Sequence, residues 1–230
     1  MVNLRIISTS NKHFRDRKEA GQLLGQELKN ITEKNIVVLG IPRGGVIVAR
    51  ELASILQAEL DIILSRKLRT PGHEELAMGS VSENGKIFLN EIILRELDID
   101  KAFIEQEKEQ QLTELARRAE NFRKVRPRVS LRGRTVIVTD DGIATGSTLQ
   151  AALWTARHEH AGKLIAAVPV ASGKALRHLA RDTDEMVCLR VPAFFGAVGQ
   201  FYLEFNPVED NEVLTILHEE GIRVALTKAQ

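Results

Sequence analysis

The sequence predicts an α/β domain: a central parallel sheet of about five strands with helices on both faces. Three observations lead there. Short runs that are apolar throughout recur along the 230 residues, as strands covered on both sides require. Longer segments with helical apolar spacing separate them. Glycines and acids gather just after several of the runs, where such sheets place their ligand loops.

Taken in order, Arg17–Leu28 sets Ala20, Leu23, Leu24 and Leu28 on one helical face, with Asp16 as N-cap. Ile36–Leu39 is the first buried strand, closed by Gly40, and Gly45–Leu56 the helix after it. Asp61–Leu64 is a second strand. The stretch Leu68–Gly85 holds Pro71, Gly72, Gly79 and Gly85 and is expected to be a long mobile loop, with a short strand at Lys86–Leu89 beyond it. Lys101–Phe122 forms a long charged helix. Val136–Thr139, Leu164–Val170 and Met186–Val191 are three further strands, separated by helices at Ser147–His160 and Gly173–Arg181. A last helix, Asp210–Glu220, is expected to stop at Gly221.

Composition narrows the function. Hydrophobic residues make up 43% and charged ones 27%, enough for a full core. A net charge of +1 gives no reason to expect a nucleic-acid partner. No apolar run approaches the roughly 20 residues of a membrane helix, and Met1–Ser10 lacks the pattern of a secretory leader, so a cytoplasmic setting is expected. The single cysteine, Cys188, excludes an internal disulfide and lies in an apolar run, as a core residue would.

The segment Val136–Thr148 concentrates the chemistry. A buried strand delivers Asp140 and Asp141 to the sheet edge; Gly142, Ile143 and Ala144 form a short turn; Thr145, Gly146, Ser147 and Thr148 open a helix. Backbone N–H groups at a helix N-terminus, joined by hydroxyls, cradle an anion. Two carboxylates beside such a cradle suit a phosphosugar, accepting from vicinal hydroxyls while the cradle holds phosphate. A nucleotide P-loop would need a lysine before the final Ser/Thr, and a dinucleotide turn would need G-x-G-x-x-G; neither spacing is present.

This run resembles the 5-phosphoribosyl 1-diphosphate (PRPP) signature of the type I phosphoribosyltransferases. The resemblance implies that Asp140 and Asp141 hold the ribose 2′- and 3′-hydroxyls and that Gly142–Thr148 holds the 5′-phosphate. It extends to Gly40-Ile41-Pro42-Arg43-Gly44-Gly45, similar to the family's pyrophosphate loop, and to Ser65-Arg66-Lys67, similar to the start of its flexible loop. Phe14-Arg15-Asp16-Arg17 and Ala197-Val198-Gly199-Gln200-Phe201-Tyr202 are similar to a bacterial and archaeal group of predicted phosphoribosyltransferases.

Several expectations follow from the resemblance. The chain would be one domain, with a core at about 30–190, a hood from 191–207 and the N-terminal region, and a mobile loop at about 65–86 closing as a lid. Pro42, Arg43, Gly44 and Gly45 would bind diphosphate, with a cis peptide at Pro42–Arg43. Arg66 and Lys67 would neutralise the leaving group, with Arg69 and His73 in the same stretch. Mg²⁺ would be carried mainly by PRPP, with Asp140 or Asp141 as the protein's own ligand. Phe195 and Val198 are the candidates for contact with an acceptor base. Where relatives acting on 6-oxopurines place an aspartate, this chain has Ala144, which disfavours hypoxanthine and guanine. The basic run from Arg123 to Arg134 reads as a solvated helix end. An enzyme is expected, the alternative being a non-catalytic PRPP or nucleotide sensor on the same fold; a homodimer is left open.

Overall fold

The computed structural model describes residues 3–228, apart from the side chains at 73–75 and 227–228. Six parallel strands form the central sheet: β1 (Asn3–Ser8), β2 (Ile36–Gly40), β3 (Glu59–Ile62), β7 (Thr135–Thr139), β8 (Lys163–Val170) and β9 (Glu185–Arg190), in the order β1-β9-β8-β7-β2-β3. Alternate residues of each inner strand serve two separate cores. Val38, Ile137, Ile165 and Val187 face α1 (Arg17–Leu28), α2 (Gly44–Leu56) and α7 (Asp210–Lys228). Val37, Val136, Leu164 and Met186 face α5 (Ser147–His158) and α6 (Gly173–Leu179). Cys188 lies within this second core, where burial pushes its thiol up to about 12.

Strand order fixes where a ligand can go. The chain moves outward from β2 to β3 on one side and from β7 through β8 to β9 on the other, so the topological switch lies between β2 and β7. Gly40 pairs in register with Thr139, and the two strands therefore release their loops side by side at the same level. A crevice at such a point, outside the carboxyl ends of the strands, is where open α/β sheets bind ligands.

Four expectations about the secondary structure need correction. The sheet gains β1 at its edge, a strand whose Asn3, Arg5 and Ser8 interrupt the apolar pattern. The second strand begins two residues earlier than expected, at Glu59. The stretch read as a loop is instead strands β4 (Ser65–Thr70) and β5 (His73–Ser82), which join the expected short strand, β6 (Ile87–Leu89), in an antiparallel sheet. Its glycines have strand and turn roles: Gly72 and Gly85 take the positive φ of tight turns, while a Cβ on Gly79 would stand 2.1 Å from the Phe88 carbonyl oxygen. Finally, α7 runs through Gly221 instead of stopping there. The Glu220 carboxylate accepts from the Leu60 N–H, and Arg223 donates to the Ala58 carbonyl, so both flanks of the glycine are tied to the start of β3. Those ties outweigh a glycine cost of about 1 kcal/mol inside a helix.

The small sheet, α3 (Glu91–Glu96) and α4 (Lys101–Val125) enclose a third apolar cluster of Leu68, Met78, Val81 and Ile104. The basic run at the end of α4 is solvated only at Lys124 and Arg132; its other arginines are paired. Arg123 donates to Asp61 (2.6 Å), to both oxygens of Glu83 (2.7 Å each) and to the Ile62 carbonyl (3.0 Å). Arg126 and Arg134 both pair with Glu59, and Arg128 with Glu83 and Glu159. These arginines sit at the junction of β3, β5 and α4 because buried carboxylates there need partners. Arg123→Ala would leave Asp61 and Glu83 without their shared cation. Urea unfolding should register a loss of about 3–5 kcal/mol, partly restored in Arg123→Lys; a change within error would show that the junction does not depend on this residue.

Candidate functional site

Two loops meet at the switch point. Residues 41–43 leave β2 and enter α2, and residues 140–146 leave β7 and enter α5. They touch so closely that side chains are excluded from one of them. A Cβ on Gly44 would lie 2.0 Å from an Asp141 carboxylate oxygen, and one on Gly45 would lie 2.8 Å from the Asp140 Cα. The Pro42–Arg43 peptide between the strand and these glycines is cis.

The acids are not free on the surface. Arg17, at the start of α1, donates through Nε to Asp141 Oδ2 at 2.8 Å, while its Nη1 donates to the Asn206 carbonyl at 2.9 Å. Its guanidinium lies 3.8 Å over the Phe205 ring. The Asp141 N–H donates to Asp140 Oδ1 at 2.9 Å, and the Tyr202 hydroxyl donates to the Asp141 carbonyl oxygen at 2.5 Å. Burial, then the neighbouring Asp141 charge, holds the Asp140 carboxyl well above the usual range. Burial also raises Asp141, against the pull of Arg17. Tyr202 is raised well above its usual value by burial and by Asp141, which keeps it a hydrogen-bond donor.

Both helices that start here lack side-chain caps. Neither Arg43 at the head of α2 nor Gly146 at the head of α5 supplies a capping hydrogen bond, so the first N–H groups of each helix remain available to an anion. Gly146 takes φ +89°, and a Cβ there would meet Leu179 at 2.7 Å. Thr145 and Ser147 bring their hydroxyls within 3.4 Å of each other beside that helix start. Ile143 is buried, its N–H bonded to the Val170 carbonyl, and the Ala144 carbonyl accepts from Ser172 Oγ at 2.7 Å. These bonds fasten the loop to the end of β8.

The remaining sequence candidates are distributed around this crevice. Arg43 is exposed and reaches toward Glu209 (3.7 Å) and Asp210 (4.0 Å) at the start of α7. Arg66, on β4, pairs with Glu114 of α4 at 2.9 Å, and Lys67 follows it on the same strand. Arg69 is turned to Glu107, away from Arg66 along the strand. The side chain of His73 lies outside the described residues. Val198 stands against Gly142, where an added Cβ would be 2.5 Å from Val198 Cγ1. Phe195 packs on Phe201 at 5.0 Å, whereas Phe194 is 85% exposed. Among the described residues no cluster of three or more acid, histidine or cysteine side chains could hold a metal. The donor set is the Asp140–Asp141 pair, with Asp141 already engaged by Arg17.

Sequence reasoning missed Arg17 and Tyr202 as parts of the site. Both lie in stretches distant in sequence that the fold brings together: Phe14 exchanges backbone hydrogen bonds with Phe201 and Leu203, and the rings of Phe14, Tyr202 and Phe205 stack in series. Charge alone could have flagged Arg17, since it sits on a helix face otherwise given to Ala20 and Leu24.

Comparison with known proteins agrees with this geometry. A family model described as "phosphoribosyl transferase domain" matches residues 12–206. Two curated Mycobacterium tuberculosis proteins, MT0597 (strain CDC 1551 / Oshkosh) and Rv0571c (strain H37Rv), both provisionally named phosphoribosyl transferases, are each 46% identical over 90% of this chain. The chain spans about half the length of these relatives, covering 46% of each. The crystal structure of TT1426 from Thermus thermophilus is similar at 44% identity and a TM-score of 0.87, covering 90% of this chain and 98% of that one.

The buried acids set a pH signature. Because their folded pKa values lie above the unfolded ones, the native chain holds extra protons. Their contribution to stability is therefore greatest below the usual carboxylate range and declines as pH rises through the folded values. Asp140→Asn removes the costlier charge and keeps an acceptor for the Asp141 N–H. Its thermal midpoint should exceed that of the parent at pH 7, with the difference closing toward about pH 4. A midpoint lower than the parent's at pH 7 would contradict this account.

Proposed function

The chain belongs to the phosphoribosyl transferase domain family, and on that premise we propose that it transfers the 5-phosphoribosyl group of PRPP to a ring nitrogen of a base, releasing pyrophosphate. One observation carries the proposal: two adjacent, half-buried carboxylates stand at the switch point between two helix N-termini that have no side-chain caps. Carboxylates accept from the ribose hydroxyls, the head of α5 receives the 5′-phosphate, and the head of α2 with Gly44 and Gly45 receives the diphosphate. The spacing is that of one phosphosugar laid across a crevice with an anion at each end.

In the reaction the C1–O bond to diphosphate breaks, its electron pair leaving with pyrophosphate, and the acceptor nitrogen's lone pair closes on C1 from the opposite face. Asp140 and Asp141 hold the sugar by its hydroxyls while positive charge grows on the ring. Arg17 keeps Asp141 oriented and partly offsets the cost of ionising it in a buried place. Arg66 and Lys67 approach the departing diphosphate from β4. Mg²⁺, when carried in on PRPP, would supply charge neutralisation for the leaving group, with Asp140 or Asp141 as the residue that would hold it. Phe195 and Val198, on the segment after β9, line the approach of the acceptor. No protein nucleophile is needed.

Two measurements test the reading. Asp140→Asn combined with Asp141→Asn should abolish PRPP binding in calorimetry while the circular dichroism spectrum stays that of the parent; retained affinity would remove the site assignment. A screen of bases with PRPP and Mg²⁺, followed as pyrophosphate release, should find an acceptor other than hypoxanthine or guanine. Ala144 offers no carboxylate to exchange a proton with N7 of those bases, and efficient turnover of either would show that this position has been misjudged.

A further inference from the structure

The family motifs do not include α4, yet α4 contributes to the charge around the diphosphate end of the crevice. Glu114 on this helix holds Arg66 of β4 at 2.9 Å. One turn further along the same face comes Arg118, since residues four apart are neighbours on a helix. On the other side, Arg43 of the β2–α2 loop reaches to within 4.0 Å of Asp210, the first residue of α7. Because α4 packs against both β4 and α7, Arg118 shares its surroundings with both pairs, within electrostatic reach of Arg43, Arg66, Arg117 and Asp210. It is half-buried, and among the described residues no carboxylate comes within ion-pair distance of it. Burial and the three like charges press against its own charge, and Asp210 opposes them.

This arrangement contrasts with that of the arginines at the end of α4 and just after it. Arg123, Arg126, Arg128 and Arg134 each have a carboxylate at short range. A guanidinium that is partly desolvated among like charges, with its five donors open, is arranged for an anion of high charge. We propose that Arg118 binds the diphosphate of PRPP, and the pyrophosphate released from it, together with Arg43 and Arg66. The proposal rests on the transferase reading above and adds a diphosphate-binding residue from outside the signature loops. With an anion in place, Arg43 and Arg66 would exchange the exposed acids they now meet for the ligand's oxygens. Arg118 would need no exchange.

Calorimetry on the full chain, with Arg118→Gln and Arg118→Lys beside the parent, tests this with three probes: PRPP with Mg²⁺, inorganic pyrophosphate with Mg²⁺, and ribose 5-phosphate. Loss of one charge-assisted contact should weaken PRPP and pyrophosphate binding about tenfold or more in Arg118→Gln, with Arg118→Lys between it and the parent. Ribose 5-phosphate, which carries no diphosphate, should bind all three proteins alike. Equal affinities of parent and variants for PRPP would overturn the role of Arg118 and leave the transferase reading standing. Equal weakening for all three probes would also overturn it, because it would mark a structural residue. Failure of the parent to bind PRPP would instead overturn the transferase reading itself, and the proposal with it.

Discussion

Asp141 can occupy its place only because residue 44 has no side chain. The carboxylate oxygen stands where a Cβ would be, 2.0 Å from its ideal position, and the Arg17 Nε lies 2.9 Å from the same point. Any other residue at 44 would have to displace the acid, its arginine partner, or the turn into α2. The same contact governs Gly45 and Asp140. Because Gly40 and Thr139 are paired in register, the two loops have no freedom to separate along the strands, and the contact is fixed by the sheet. The acids, the diglycine turn and the two helix starts therefore form one unit whose parts cannot be moved singly.

That unit is closed from above by a layer that the sheet does not supply. Phe14, Tyr202 and Phe205 stack in series, Arg17 lies over Phe205, and Arg190 lies 3.6 Å over Phe14. Aromatic faces serve two needs here. They bury the approach to the acids, which strengthens every electrostatic contact beneath them, and they give the two guanidiniums a surface that does not compete for hydrogen bonds. Burial alone would push Asp141 toward its neutral form, and Arg17 opposes that shift from within the same layer.

How much of this could be read from the chain depends on the range of the interaction. Five of the six strands and the Val136–Thr148 signature are legible because strand, acid pair and helix start are consecutive, and each segment states its own structure. β1 was missed because an edge strand, half exposed, does not keep an unbroken apolar run. In the small sheet only β6 is legible; β4 and β5 are not, because a count of glycines does not place them: two sit at turns and one lets β6 approach β5. Gly221 looks like a stop in the sequence because the bonds that carry α7 past it come from the start of β3, some 160 residues away. Arg17 and Asp141 are 124 positions apart, so neither reveals the other without the fold.

The small sheet also changes what the segment bearing Arg66 and Lys67 can do. As a free loop it would bring its cations to the diphosphate by chance closure, with an ordering cost at each binding event. As a sheet it packs on α5 through Phe88, whose ring lies 4.8 Å from both Trp154 and His158. Glu83, just past β5, is gripped by Arg123, which also holds Asp61 in β3. The small sheet that carries Arg66 thus has a side-chain tie to the central sheet and an aromatic contact with α5, whose N-terminus is the proposed phosphate cradle. On the proposed function, the two anion sites of the substrate are then held at a set distance by packing already present before it arrives. Any closure over the ligand is left to side chains, or to movement of the small sheet as a body.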